Sequence, residues 1–220
     1  MIIKADFEGK SFIGLYAKAS DKYVLIPPNS PKKFEDKIKS LGVEVIKTYI
    51  GESYLLGLYC VLNSKGIILP SFCTKKELEI FESLDLNVGI LDDDRFCAIG
   101  NNIAANDFGA VLNPNLPEKY VELIEKTLEV KAKKLKLGKY STPGLFVVPT
   151  NKGFVAFNDI NEKNLNDLKQ IFAANGSNAT VNLGLSVVGL GLIANSKNAL
   201  IGQTSTGFES AKIAEILDII

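Results

Sequence analysis

The sequence predicts a single α/β domain, residues 1–220, that forms a closed pseudo-fivefold ring of about 45-residue units, each ordered strand, strand, helix, strand. Three observations predict this fold. One segment recurs five times without gaps, and a helix start follows each copy. In addition, the chain ends before its fifth unit can form a last strand, while an unassigned strand stands at the N-terminus.

The recurring segment predicts a β-hairpin, because an apolar run opened by glycine is followed by a polar turn and three apolar residues. The copies are "GLYAKASDKYVLIP", "GLYCVLNSKGIILP", "GNNIAANDFGAVLN", "GLFVVPTNKGFVAF" and "GLGLIANSKNALIG". They begin at Gly14, Gly57, Gly100, Gly144 and Gly189, so the spacings are 43, 43, 44 and 45 residues.

The turn of each copy starts at the same offset with a short polar side chain, a residue type that favours turns. These residues are Ser20, Asn63, Asn106, Thr150 and Asn195. Three residues later stand Gly66, Gly109 and Gly153, which indicate a left-handed backbone at that position.

A helix start follows each hairpin, and a third strand follows four of the helices. The helix starts are Pro31, Thr74 with Glu77 as a capping box, Pro117, Asn161 and Thr206. The third strands are predicted at residues 43–50, 86–91, 130–135 and 179–185. The fifth helix runs almost to the C-terminus, so residues 2–7 ("IIKADF") are expected to complete the fifth unit and close the ring. A linear solenoid would instead need polar capping repeats.

Composition narrows the possible chemistry. Twenty-five basic residues balance 25 acidic ones, and the chain has no histidine. Ser-His-Asp and Cys-His nucleophiles and His-ligated zinc are therefore excluded. Cys60, Cys73 and Cys97 are too widely spaced for a zinc site, and we expect no metal.

No cofactor or membrane is expected either. "GLGLIA" at 189–194 matches G-x-G-x-x-A, but a dinucleotide site needs a helix directly after the motif, and turn residues follow here. The chain begins without the apolar segment of a signal peptide, so the expected location is cytoplasmic.

The five turns are expected to gather at one end of the ring. They would bring together Asp21, Lys22, Asn63, Lys65, Asn106, Asp107, Phe108, Asn151, Lys152, Ser196 and Lys197. Phe108 differs from its counterparts, because the other copies place lysine in the turn. An exposed aromatic side chain among polar groups is typical of an interface anchor.

The stretch "NDFGAVLNPNL" (106–116), together with "IGLYAK" (13–18) and the five copies, resembles the archaeal translation initiation factor 6 family over essentially the whole chain. The resemblance implies the five-bladed fold called pentein. It also implies binding to the large ribosomal subunit at ribosomal protein L14, near the sarcin–ricin loop, which blocks joining of the small subunit and contributes to large-subunit maturation. The expected protein is a monomer and not an enzyme.

On this basis we expect the ribosome-binding residues to be those of the third turn and its neighbours. They are Asn106, Asp107 and Phe108, with Asn63, Lys65, Asn151 and Lys152.

Two other functions stay open at this point. The first is a pentein enzyme that acts on guanidino compounds through an atypical, histidine-free site with a reactive cysteine. The second is a general RNA-binding module that uses the lysines of residues 131–139, which would bind phosphate through charge.

Overall fold

A computed structural model describes residues 1–219, which are arranged as five units, each with one three-stranded sheet. The middle strand of every sheet pairs with an antiparallel inner strand and a parallel outer strand. In unit order, the inner strands are Lys18–Ala19, Val61–Leu62, Ile103–Ala105, Val147–Pro149 and Leu192–Ala194. The middle strands are Tyr23–Ile26, Gly66–Pro70, Gly109–Leu112, Gly153–Ala156 and Ala199–Gly202.

The outer strands confirm three of the four predicted third strands and correct the fourth. In unit order they are Glu44–Lys47, Asn87–Leu91, Lys131–Lys134, Asn175–Asn178 and Ile2–Ala5. In the fourth unit the prediction of 179–185 was wrong. Its apolar residues Ala179 and Val181 lie in the loop after the outer strand, and their side chains are buried in the core. The weakly β-forming "NGSN" is a strand because the neighbouring middle strand supplies its hydrogen-bond partners.

The N-terminal strand lies where the sequence predicts it. Ile2–Ala5 pairs with the fifth middle strand in the register Ile2–Ala199 to Ala5–Gly202. The amino group of Met1 donates a hydrogen bond of 2.6 Å to the carbonyl oxygen of Ile219. The two ends of the chain therefore belong to one sheet unit.

One long helix covers each sheet. In unit order the helices are Lys32–Ile38, Lys75–Glu82, Glu118–Leu128, Glu162–Phe172 and Gly207–Ile216. The predicted capping box of Thr74 and Glu77 is confirmed, and Thr206 with Glu209 forms a second one. Both glutamates also accept bonds from backbone N–H groups of the loop after the outer strand of the preceding unit, for example those of Gly51 and Gly184. The capping side chains therefore fix the loops as well as the helices.

The opening glycines lie in helical turns, so the prediction that they begin β-strands was wrong. The turns are Ile13–Leu15, Leu56–Tyr59, Ile99–Asn102, Pro143–Phe146 and Val188–Gly191. A Cβ on Gly100 would overlap the carbonyl oxygen of Gly57, and the same relation joins each glycine to the one in the preceding unit, including Gly14 to Gly189. Close backbone packing therefore requires glycine at this position.

The glycines after the turns also have a packing role. Gly66, Gly109 and Gly153 do not have the left-handed backbone predicted for them; among residues 1–219, five other glycines do. A Cβ on Gly109 would overlap the carbonyl oxygen of Ile171 in the long helix of the fourth unit, and Gly66 and Gly153 meet the next helix in the same way. These glycines let each sheet approach the helix of the next unit.

Contacts run from every unit to the next and from the fifth unit to the first. Both the helical turns and the inner strands touch in this order. The core follows the same arrangement, since one apolar cluster joins Ala5, Ile193 and Leu200 of the fifth unit to Ile13 and Phe34 of the first. Each unit therefore buries its apolar surface against its neighbours.

A candidate binding surface formed by the five turns

The turns between the inner and middle strands form the surface that we call the turn face, residues 20–22, 63–65, 106–108, 150–152 and 195–197. In the second, third and fifth turns a buried asparagine side chain organises the backbone. Asn106 Oδ1 accepts from the N–H groups of Phe108 and Gly109, both at 3.0 Å. Its Nδ2 donates across to the carbonyl oxygens of Thr150 and Phe172, both at 2.9 Å. One side chain thus shapes its own turn and ties it to the next unit.

Asn63 makes the same four kinds of bond, and Asn195 makes three of them. Asn63 Nδ2 donates to the carbonyl oxygens of Asn106 and Leu128, and Asn195 Nδ2 donates to that of Leu41. Ser20 and Thr150 replace asparagine in the other turns. Their hydroxyls accept bonds within their own turns, at Tyr23 N and Gly153 N.

Hydrogen bonds between neighbouring turns connect all five into one network. Asp107 accepts from Ser64 N at 2.7 Å and from Ser64 Oγ at 2.8 Å. Asn151 accepts from Asp107 N at 2.9 Å, and its own N–H donates to Ser196 Oγ at 3.1 Å. Asp21 accepts from Ser196 N and Oγ, both at 2.6 Å. The turns therefore form one continuous surface, as the repeat predicts.

The Asn151 amide joins two carboxylates at the centre of this surface. Its Nδ2 donates to Asp21 Oδ2 at 2.8 Å and to Asp107 Oδ2 at 2.5 Å. Because both carboxylates also accept bonds from serine, their oxygens are well supplied with donors without any cation. Among residues 1–219 there is no cluster of three or more His, Cys, Asp or Glu side chains that could hold a metal ion.

One residue of each turn projects outward at the same offset: Lys22, Lys65, Phe108, Lys152 and Lys197. The Phe108 ring is 53% exposed, which confirms the expected exposed aromatic side chain. Beside it lies an open depression of about 610 Å³ on the third long helix, lined by Glu122, Glu125, Lys126, Glu129, Val130 and Lys131. An exposed ring beside a depression with charged walls could anchor a partner.

The lysines of the turn face differ in their charge environment. Lys22 Nζ lies 2.6 Å from Asp85, and this hydrogen bond raises the pKa of Lys22. Lys152 lies 3.6 Å from Asp218. Over residues 1–219, neither Lys65 nor Lys197 forms an ion pair. The turn face therefore presents two uncompensated cations and one aromatic ring.

The predicted site residues divide into three groups. Phe108, Lys65 and Lys152 are exposed, whereas Asn63 and Asn106 are buried and fully engaged within the chain. Asp107 and Asn151 are half-buried and join neighbouring turns.

The sequence did not point to Glu122 or Lys126 beside Phe108, because helix residues join the turn only through the tertiary fold. The assignment of these residues to a binding surface stays a prediction.

Two cysteines are poorly suited to nucleophilic catalysis. Burial raises the pKa of Cys60 to about 12 and that of Cys73 to about 12, so both thiols are protonated at neutral pH. This disfavours either as the reactive cysteine of a guanidino-modifying enzyme.

The lysines of the third outer strand are largely compensated by acids. Lys133 pairs with Asp167 at 2.8 Å, Lys134 with Glu118 at 2.5 Å, and Lys131 with Glu125 at 3.8 Å. These pairs weaken the case for a general RNA-binding strand. None of the helices described for residues 1–219 has the length and apolar character needed to cross a bilayer.

Comparison with known proteins gives a consistent result over the full chain. A family model described as the eIF-6 family matches residues 2–216. The chain is similar to translation initiation factor 6 of Methanosarcina acetivorans, with 34% identity over 221 residues and complete coverage of both chains. It is similar to the Thermoplasma acidophilum factor at 33% identity, covering 99% of this chain and 100% of that one. Eukaryotic translation initiation factor 6 of Toxoplasma gondii is 30% identical, with 100% of this chain and 85% of that one covered.

Proposed function

This chain belongs to the eIF-6 family, and from that premise we propose that it binds the large ribosomal subunit through the turn face and so prevents joining of the small subunit. The family itself is one of translation initiation factors. The match to this family over residues 2–216 is the observation that carries the proposal.

The proposed mechanism is steric and needs no chemical step. The turn face is fixed by backbone and buried side-chain bonds, so binding would order few groups and would lose little conformational entropy. Phe108 is the proposed anchor, flanked by Lys65 and Lys152, while Asn63, Asn106, Asp107 and Asn151 hold the turns in place. The body of the protein, 23.9 kDa, then occupies the joining surface.

A single closed ring is the architecture that we propose for this body. The contacts of the fifth unit with the first support it, as does the strand that the N-terminus adds to the fifth sheet. A ring of this kind is the pentein fold implied by the resemblance. It would act as one rigid domain, because each unit shares its core with two neighbours.

The proposed partners are ribosomal protein L14 and the nearby sarcin–ricin loop of the large-subunit RNA. An aromatic anchor suits a protein surface, and the free ammonium groups of Lys65 and Lys197 suit RNA phosphates. We further propose a cytoplasmic monomer without catalytic activity that also takes part in large-subunit maturation.

A sedimentation experiment tests this proposal. Added protein should move with purified large subunits in a gradient and should reduce the yield of joined particles when small subunits and magnesium are supplied. Unchanged joining at saturating protein would refute the anti-association role, and failure to move with large subunits would refute the binding itself.

A further inference from the structure

Lys18 breaks the internal repeat at a position that is apolar in every other unit. Four residues after the opening glycine, the other units have Val61, Ala104, Val148 and Ile193. The first unit has Lys18, on an inner strand of only two residues. A cation in place of an aliphatic side chain at an inner position needs a physical explanation.

The inner strands surround a narrow cavity, and Lys18 is one of the residues that line it. The cavity has a volume of about 30 Å³. Besides Lys18, its walls are small or apolar and come from other inner strands, including Leu62, Ala105, Pro149 and Ala194. The same four residues also line an adjoining space beneath the turn face.

The Lys18 ammonium has no counter-charge in the protein. Among residues 1–219, no acceptor hydrogen-bonds to its Nζ and no carboxylate lies within 4 Å of it. Among the described residues, no side-chain nitrogen is both inaccessible to solvent and without a hydrogen-bond partner. Since Lys18 Nζ has no such partner, it must be accessible to solvent. Lys18 therefore lines the cavity, and its Nζ keeps contact with solvent-accessible space.

The ionisable groups around Lys18 do not compensate it. Burial lowers the pKa of Lys18, and the neighbouring Cys60 thiol, with its pKa raised to about 12, stays neutral. Asp21 and Asp107 line the adjoining space and not the cavity of Lys18, and they accept bonds from Ser196, Ser64 and the Asn151 amide. An ammonium without a counter-charge is unfavourable in these partly desolvated surroundings, and a bound ion of opposite sign would favour the charged form of Lys18 over the neutral amine.

We propose that the Lys18 ammonium binds one monovalent inorganic anion of halide size in the cavity between the inner strands. The volume sets the size, because about 10–15 Å³ is needed for each water-sized particle and a tetrahedral oxyanion would not fit. The charge follows from Asp21 and Asp107 in the adjoining space, because these two carboxylates oppose a dianion more strongly than a monoanion. This site is independent of the proposed ribosome binding.

Crystals of the full chain grown with bromide in place of chloride test the site directly. An anomalous peak in contact with Lys18 Nζ is the expected result, because bromide scatters anomalously and water does not. Water alone at that position, with bromide bound only on the outer surface, would overturn the proposal.

A solution experiment tests the same site without a crystal. At constant ionic strength, replacing gluconate with chloride should raise the Tm of the wild-type protein by about 3 °C when chloride is tenfold above its dissociation constant. Lys18→Met, which restores an apolar side chain, should abolish this rise. Lys65→Met, which removes an exposed turn-face lysine, should keep it.

No chloride response in the wild-type protein, or a full response in Lys18→Met, would overturn the proposal. If Lys18→Met does not fold, the bromide experiment on the wild-type chain decides.

Discussion

The second and third turns of the molecule have the same buried framework and different exposed side chains. In both, an asparagine makes four hydrogen bonds, two within its turn and two to the next unit. The exposed residue is Lys65 in one turn and Phe108 in the other. The buried residues of a turn therefore build the turn face, and the exposed residue is available to a partner. Asn106 belongs to the first group and Phe108 to the second.

Loss of the buried asparagine should destabilise the fold strongly, and by a similar amount in the second and third turns. Asn106→Ala and Asn63→Ala each remove four hydrogen bonds from a buried site, so each should lower the free energy of unfolding by about 3 kcal/mol. Denaturant unfolding measures both. If only one of the two variants loses stability, the two turns are not equivalent.

The next effect is on binding, and the two turns should differ. Phe108→Ala should weaken binding to large subunits about 20-fold, or about 2 kcal/mol, because an anchoring aromatic side chain is lost. Its stability should change by less than about 0.5 kcal/mol, since the ring is half exposed. Lys65→Ala is the matched control from the second turn. Equal losses of affinity in the two variants would remove Phe108 from the centre of the interface.

Exchanging Phe108 and Lys65 tests whether the anchor must stand in the third turn. Phe108→Lys gives the third turn the residue that the other four turns have, and it should weaken binding about tenfold or more. Adding Lys65→Phe should not restore binding, because the depression beside Phe108 belongs to the third helix. Quantitative co-sedimentation of the single and double variants is the measurement. Recovery in the double variant would show that any turn can carry the anchor.

The smallest effect concerns the lysines. Lys65→Ala and Lys197→Ala should each weaken binding about threefold and reduce its salt dependence by about one unit of slope, if each lysine contacts a phosphate. Lys22→Ala should have less effect, because Lys22 is already paired with Asp85. Affinities measured over a range of salt concentrations check this order. An effect of Lys22→Ala as large as that of Lys65→Ala would contradict it.

Sequence patterns predicted the elements whose signals are local. The capping residues and the polar residues that start the turns lie as expected, because a side chain of this kind bonds backbone groups within about three residues of itself. The pattern misassigned residues 179–185, because a loop whose side chains enter the core has the same apolar positions as a buried strand. It also took the opening glycines for strand residues, because the close backbone contact that requires glycine is made with another unit.

The number of units, the repeat period and the exceptional residue Phe108 can be read from the sequence, because a repeated pattern shows both its period and its exceptions. The burial of Asn106, the packing of Gly109 against a neighbouring helix and the place of Lys18 in a cavity lining follow from the tertiary fold alone. The physical reason is that burial and counter-charge depend on what other units bring within a few ångströms. The spacing of residues along one chain does not contain that information.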